Sequence, residues 1–144
     1  MKWITRARPK TDRIACPWMI RRFIDPDAEI LYVNPSDVLP RAQAEGAHSF
    51  DAPGAEFTHR DGRCTFEVLI EAFDLGGDRA LVRLAQVVHA ADIAEDVDAD
   101  PLGAGLRAIG EGGLDAEADD HELLARGSFV YDALYAWCLR QVKD

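Results

Sequence analysis

Two side chains that could bind a metal ion, His89 and Asp92, are three residues apart in the sequence. On a helix this spacing places them on one face, among small apolar residues, where a carboxylate needs a cation or hydrogen-bond donors. With donors from other segments they predict a metal centre that also draws on His59, Glu67 and His121. Imidazole and carboxylate ligands suit zinc, iron or manganese, so a divalent cofactor is expected without a choice among the three. The alternative is structural, with Asp92 bonded to an arginine or to helix-end amides and Glu67 on a solvated acidic face.

A second candidate for chemistry is Cys16, which stands directly before Pro17. Because proline is tolerated at the first position of a helix, the sequence predicts a helix that begins at Pro17, either directly or after a turn over residues 12–15. At that N-terminus the helix dipole and nearby arginines would favour a thiolate. Cys16 is therefore a candidate catalytic thiol, expected to be more thiolate-like than Cys138. The alternative is that Cys16 is a small buried apolar residue, as free cysteines usually are.

The first 22 residues are basic, with seven Lys or Arg and a single acid, Asp12. A guanidinium group presents paired donors to oxyanions, so this segment is a candidate oxyanion site. The residues proposed for it are Arg6, Arg13, Arg21 and Arg22. The alternative is that these arginines dock on acidic groups of the chain itself. The best candidate for such a partner is Asp132, in an aromatic stretch of the last predicted helix. If that pair is buried, Asp132→Ala should cost roughly 3 kcal/mol, because it leaves a guanidinium without its partner.

Composition excludes several classes of protein. The chain has 144 residues, of which 48% are apolar and 29% charged, as expected for one folded domain spanning residues 1–144. Its net charge of −10 disfavours direct binding to nucleic acid. No stretch approaches the roughly 20 apolar residues of a membrane helix, and the N-terminal sequence lacks the apolar segment of a secretory signal, so a cytoplasmic location is expected. Three widely spaced cysteines suit reduced thiols.

The elements that must position these residues are short early strands and later helices. Strands are predicted at 3–5, 29–33 and 48–51. A fourth segment, 57–59, is predicted to return antiparallel after the turn-forming residues 51–54. Helices are predicted from about Ser36 to Glu45, from Cys64 to the GlyGly at 76–77, after Asp78 to about Asp92, at 102–109 and from 119 or 120 to about 140. The fold class is therefore α+β, a small early sheet covered by a predominantly helical C-terminal layer.

Several blocks closely resemble the C-terminal domain of the chromate-resistance protein B family. The longest are WITRARPK at 3–10, DRIACPWMIRRFIDP at 12–26 and YDALYAWC at 131–138. FDAPG at 50–54, the spacing of His59, Cys64, Phe66 and Glu67, AlaAsp at 91–92 and AspAspHis at 119–121 follow in the same order. The resemblance covers essentially the whole chain and implies a role in bacterial chromate resistance. It does not imply the regulatory role of the N-terminal segment found in longer members.

Two hypotheses of different class follow. In the first, the chain is a cytoplasmic domain that binds or senses a metal ion or a chromate-like oxyanion. In the second, it is an enzyme that reduces chromate through Cys16 or a bound metal. A weaker third is an interaction domain that forms a homodimer and docks on a regulator. Consumption of several equivalents of chromate per protein would favour the enzyme.

Overall fold

The computed structural model describes residues 1–143. Its sheet has three parallel strands in the order β2, β1, β3, and the early position of these strands agrees with the predicted α+β class. Strand β1 is Lys2–Arg6, β2 is Glu29–Val33 and β3 is His48–Ser49. The central strand places Trp3 and Ile4 in the core, at 1% and 0% exposure.

The first helix, α1, spans Asp12–Met19 and continues as a π-helical turn over Ile20–Ile24. The predicted start at Pro17 is therefore wrong, since Pro17 lies inside the helix. A proline there cannot donate to the carbonyl of Arg13, four residues earlier. The Tyr32 hydroxyl of β2 donates to that carbonyl oxygen instead, at 2.7 Å, which explains how the helix extends back to Asp12.

Between β2 and the later helices the chain contains one short helix and the strand β3, and it is otherwise mostly irregular. A 3₁₀ turn at Pro35–Asp37 leads into helix α2, Val38–Glu45, which ends at Gly46 with a φ of 61°, as the sequence predicted. The predicted antiparallel strand at 57–59 is wrong, because only a single parallel bridge joins Phe57 to Phe50 there. Asp61 and Gly62 both have positive φ values, as a tight turn between the bridged residues on either side requires.

The helical layer, as far as residue 143, contains the short helix α3, three longer helices and a 3₁₀ segment. Helix α3 is Thr65–Ala72, α4 is Arg79–Asp92, the 3₁₀ segment is Ala94–Ala99, α5 is Gly103–Ala116 and α6 is Asp120–Gln141. As predicted, Asp78 caps α4, accepting a hydrogen bond from the Leu81 amide at 3.0 Å. Helix α5 runs past its predicted end, and in this extension Gly110 lies against Thr11, where a Cβ would be 3.0 Å from the hydroxyl oxygen.

The main core lies between α1, α3, α4, α5, α6 and the sheet, with α4 at its centre. Helix α6 turns Tyr131, Tyr135 and Cys138 inward, whereas Trp137 is 36% exposed. Across residues 1–143, none of the helices combines the length and the apolar character that a membrane span requires.

Candidate metal centre

One cluster forms around the imidazole of His59, in the irregular segment before α3. Nε2 of His59 lies 2.8 Å from Oδ2 of Asp92, at the C-terminal end of α4. Nδ1 lies 3.3 Å from Oδ1 of Asp51 and 3.2 Å from the hydroxyl oxygen of Thr65, the first residue of α3. The ring is thus held between two aspartates that come from separate parts of the chain.

The third acid of this cluster is Asp12, the first residue of α1, whose side chain is almost fully buried at 1% exposure. Its carboxylate accepts from the Thr65 amide at 2.8 Å and from the Cys16 thiol at 3.8 Å, both neutral donors. Burial, followed by the charges of Asp92 and Asp51, raises the pKa of Asp12 well above its ordinary value.

The charges of the cluster are unevenly matched. Asp51 is paired with Arg13 at 3.4 Å and Arg6 at 3.5 Å. Burial alone would raise the pKa of Asp51, but hydrogen bonds from His59 and Thr65 outweigh it, so that this pKa is lowered. The hydrogen bonds to Asp51 and then Asp92 raise the pKa of His59 to about 10. Asp12, whose hydrogen-bond donors are neutral, is therefore the carboxylate whose ionised form burial disfavours.

Donor atoms of Asp12, His59 and Asp92 all lie within 4.8 Å of one another. Ligands around one tetrahedral ion with bonds of about 2.0–2.3 Å are separated by about 3.3–3.8 Å. Small side-chain movements would give this spacing, with His59 and Asp92, which are 2.8 Å apart, separating slightly. Asp51, hydrogen-bonded to the other ring nitrogen, occupies the position of the outer carboxylate that orients a metal-binding histidine.

The remaining predicted ligands do not join this cluster. Glu67 and His89 form a second one, with Nδ1 of His89 2.5 Å from Oε1 of Glu67 and its Nε2 2.6 Å from Oδ2 of Asp96. His121 lies in the first turn of α6, with its ring centroid 5.4 Å from that of Tyr32. The single centre predicted from the sequence is therefore wrong: the structure divides four of its residues between two clusters and leaves His121 apart.

The predicted oxyanion residues also separate. Arg6 and Arg13 lie on Asp51, and Nε of Arg21 donates to the Ala28 carbonyl at 3.2 Å. Arg22 pairs with Asp132 at 3.2 Å, which confirms the predicted contact with α6, although both side chains are about half exposed. The four guanidinium groups therefore divide between two places, with Arg6 and Arg13 on Asp51, and Arg21 and Arg22 lining a pocket that also contains Asp132.

Cys16 is not at a helix N-terminus but one turn inside α1, with no exposed surface. Burial and then the charge of Asp12 raise the pKa of its thiol well above the ordinary value. Burial also raises the pKa of Cys138, to a lesser extent. The predicted thiolate character of Cys16 is therefore wrong, and the buried alternative describes it.

Two members of the His59 cluster, Asp12 and Asp51, were not among the ligands predicted from the sequence. Asp12 had one signal, as the single acid of a basic segment followed by an apolar run. Asp51 lies in turn-forming sequence that gives no sign of the burial found here, 5% exposure with a φ of 50°. Neither is related to His59 by a regular spacing, so their convergence depends on tertiary structure.

The fold and this cluster define a small α+β domain whose buried carboxylates and imidazole could hold a cation. The chain belongs to the family described as “ChrB, C-terminal domain”, which it matches over residues 3–138. It is 38% identical over 134 residues to “Protein ChrB” of Cupriavidus metallidurans, an alignment that covers 93% of this chain. The chain spans 40% of the length of that relative. No solved structure matches it.

Proposed function

We propose that the chain is a metal-binding domain that acts in chromate resistance, with Asp12, His59 and Asp92 as its metal ligands. Membership of the ChrB C-terminal domain family supports the role in chromate resistance. The observation that carries the metal-binding part is the buried carboxylate of Asp12. Its oxygen lies with donor atoms of His59 and Asp92 in a group whose members are within 4.8 Å of one another.

Charge favours a divalent cation at this position. Asp12 and Asp92 are the two carboxylates that would face the ion, and the ionised form of Asp12 is costly in the protein interior because its hydrogen-bond donors are neutral. A divalent ion bound to neutral His59 would balance both carboxylates. Asp12, Asp92 and His59 come from α1, α4 and the segment before α3, so the ion would also join three parts of the fold.

The arginine environments support a metal ion over a chromate-like oxyanion as the ligand. Arg13 and Arg22 already pair with carboxylates, and the acids beside them would repel an added anion. The chain also carries a net charge of −10. An oxyanion would have to displace internal partners, whereas a cation would meet the carboxylates of Asp12 and Asp92.

Metal content and thermal stability test the proposal. Untagged protein is stripped with chelator, incubated separately with zinc, iron(II) or manganese, freed of excess ion and analysed for bound metal and Tm. We expect a bound ion that raises Tm, because binding to the folded state adds to its stability. His59→Gln and Asp92→Asn should each lower bound metal and reduce the rise in Tm.

Matched controls are available within the chain. His121→Gln changes a histidine outside both clusters, and Asp98→Asn changes an exposed acid in the 3₁₀ segment after α4. Both should bind metal as the unsubstituted protein does. Less than about a tenth of an equivalent of each metal, or equal binding by His59→Gln and His121→Gln, would overturn the proposal.

The proposed role is binding rather than thiol-dependent turnover, since Cys16 is buried and its pKa is raised. Chromate consumption in the presence of a reductant separates the two roles. Stoichiometric or no consumption agrees with binding, and many equivalents per protein would favour the enzyme. Cys16→Ser would then show whether this thiol takes part.

We also propose a cytoplasmic location for the chain. Its cysteines at 16, 64 and 138 are all free and buried, which suits a reducing compartment. Fractionation of cells that express the full chain tests this, and recovery outside the cytoplasm would contradict it.

A further inference from the structure

The cluster around His89 contains the sulfur atom of Cys64, a residue that was not among the ligands predicted from the sequence. Cys64 is the N-cap residue of α3 and has no exposed surface. Donor atoms of Cys64, Glu67 and His89 lie within 4.8 Å of one another. A thiol, a carboxylate and an imidazole thus converge from the start of α3 and from the last turn of the neighbouring helix α4.

We infer that Cys64, Glu67 and His89 form a second metal site, suited to zinc and adjacent to the His59 cluster along α4. Thiolate, imidazole and carboxylate are the ligand types that zinc uses, and three protein ligands leave one coordination position open. This site goes beyond the proposed function, because its donors are different and do not require the His59 cluster to bind.

The partners of His89 support the assignment. Its Nδ1 faces Glu67 and thus the ligand group, while its Nε2 lies 2.6 Å from the Asp96 carboxylate. A histidine that ligates a metal through one nitrogen usually donates its other N–H to a carboxylate or carbonyl, which fixes the ring. Asp96 occupies that position here, as Asp51 does for His59.

The site has local support and access from solvent. The Cys64 amide donates to Oε1 of Glu67 at 3.0 Å, so the start of α3 holds these two donors together. Burial raises the pKa of the Cys64 thiol, so the sulfur would become a thiolate only where a cation replaces its proton at the N-terminus of α3. Glu67 lines an open pocket of about 490 Å³ between α3 and α4, through which an ion could reach the cluster.

Cobalt(II) reports on this site, because thiolate ligands give cobalt an intense charge-transfer band in the near ultraviolet that nitrogen and oxygen ligands do not. We expect full-length, metal-free protein to develop this band on titration with cobalt, and zinc to abolish it. Cys64→Ser should lose the band, whereas Cys138→Ser, which alters another buried free cysteine, should keep it. Glu67→Gln should weaken cobalt binding about tenfold or more while keeping the band at saturation.

The outcomes separate this inference from the proposed function. If both hold, His59→Gln loses one equivalent of cobalt and keeps the band, and Cys64→Ser loses one equivalent together with the band. A band with no loss of metal in His59→Gln would support the second site and contradict the first. Absence of the band in the unsubstituted protein, or its persistence in Cys64→Ser, would overturn the inference. Circular dichroism identifies a variant that fails to fold, and Glu67→Gln then provides the test.

Discussion

The two histidine clusters contain the same kinds of charged group, an imidazole and carboxylates, but they differ in which of these groups are buried. Around His59, the aspartates are buried, Asp12 at 1% and Asp51 at 5% exposure, and the imidazole is 44% exposed. Around His89 the order is reversed, because the imidazole is only 19% exposed while Asp96 is 45% exposed. Each ring lies between two carboxylates in both cases.

This difference in burial indicates how the ionised acids of each cluster can be stabilised. Water can stabilise the ionised acids around His89, so its distinguishing donor is the buried sulfur of Cys64. The acids around His59 are removed from water and depend on positive charge supplied by the protein or by an ion. The two carboxylates at His59 therefore favour a hard cation, whereas the sulfur of Cys64 makes the cluster at His89 better suited to a softer one.

The largest expected effect is the loss of metal-dependent stabilisation in Asp12→Asn. An ion present at about a thousand times its Kd adds about 4 kcal/mol to the free energy of unfolding, and this gain should disappear. Asparagine keeps an oxygen that can accept from the Thr65 amide, so the metal-free fold should persist. Urea unfolding with and without manganese, which prefers oxygen ligands to the thiol of the second cluster, measures both quantities. An undiminished gain would show that Asp12 is not a ligand.

A smaller effect is expected for Asp12→Ala in the metal-free protein. Alanine leaves the buried Thr65 amide without its acceptor, which costs about 1–3 kcal/mol. Asp12→Asn is the matched control and should be more stable than Asp12→Ala by most of that amount. Equal stability of the two variants in chelator would show that the hydrogen bond contributes nothing measurable.

Tyr32→Phe tests how α1 supports the His59 cluster. Removing the hydroxyl leaves the Arg13 carbonyl unpaired beside Pro17, and we expect a loss of about 1–2 kcal/mol in the free energy of unfolding. Because α1 carries Asp12, metal affinity at the His59 cluster should fall as well. The cobalt band assigned to Cys64 should not change. Equal weakening of both sites would show that α1 does not act on the His59 cluster alone.

The stability of the metal-free protein should fall as pH rises from about 6.5 towards 10. The folded state holds the proton of His59 with a pKa of about 10, above the ordinary value of 6.5, so its contribution is complete below 6.5 and lost through 10. Carboxylates also raise the pKa of His89, against the effect of its burial, and act in the same direction. His59→Gln should flatten the dependence measured by thermal unfolding between pH 6.5 and 9. An unchanged slope would show that His59 does not hold this proton.

The sequence predicted the elements better than the site because the two depend on different information. Apolar periodicity and the Asp78 cap are local, so α4 was predicted close to its observed bounds. The start of α1 was not predicted correctly, because it depends on the Tyr32 hydroxyl of β2, which donates to the Arg13 carbonyl oxygen. The pairing of His59 with Asp92 spans 33 residues, and nothing in the spacing showed that Glu67 and His89 belong to another cluster.

The smallest expected effect comes from Asp132→Ala, at an exposed ion pair that contrasts with both clusters. Oδ1 of Asp132 accepts from Arg22 at 3.2 Å and from Nε1 of Trp18 at 2.8 Å, but the Asp132 side chain is 53% exposed. Water can replace a half-exposed carboxylate, and the Arg22 guanidinium retains its position 4.8 Å from the centre of the Tyr135 ring. We therefore expect a loss of about 1 kcal/mol or less in urea unfolding, rather than the 3 kcal/mol of a buried pair. Metal binding should be unchanged, and a loss near 3 kcal/mol would show that this surface is closed to water in solution.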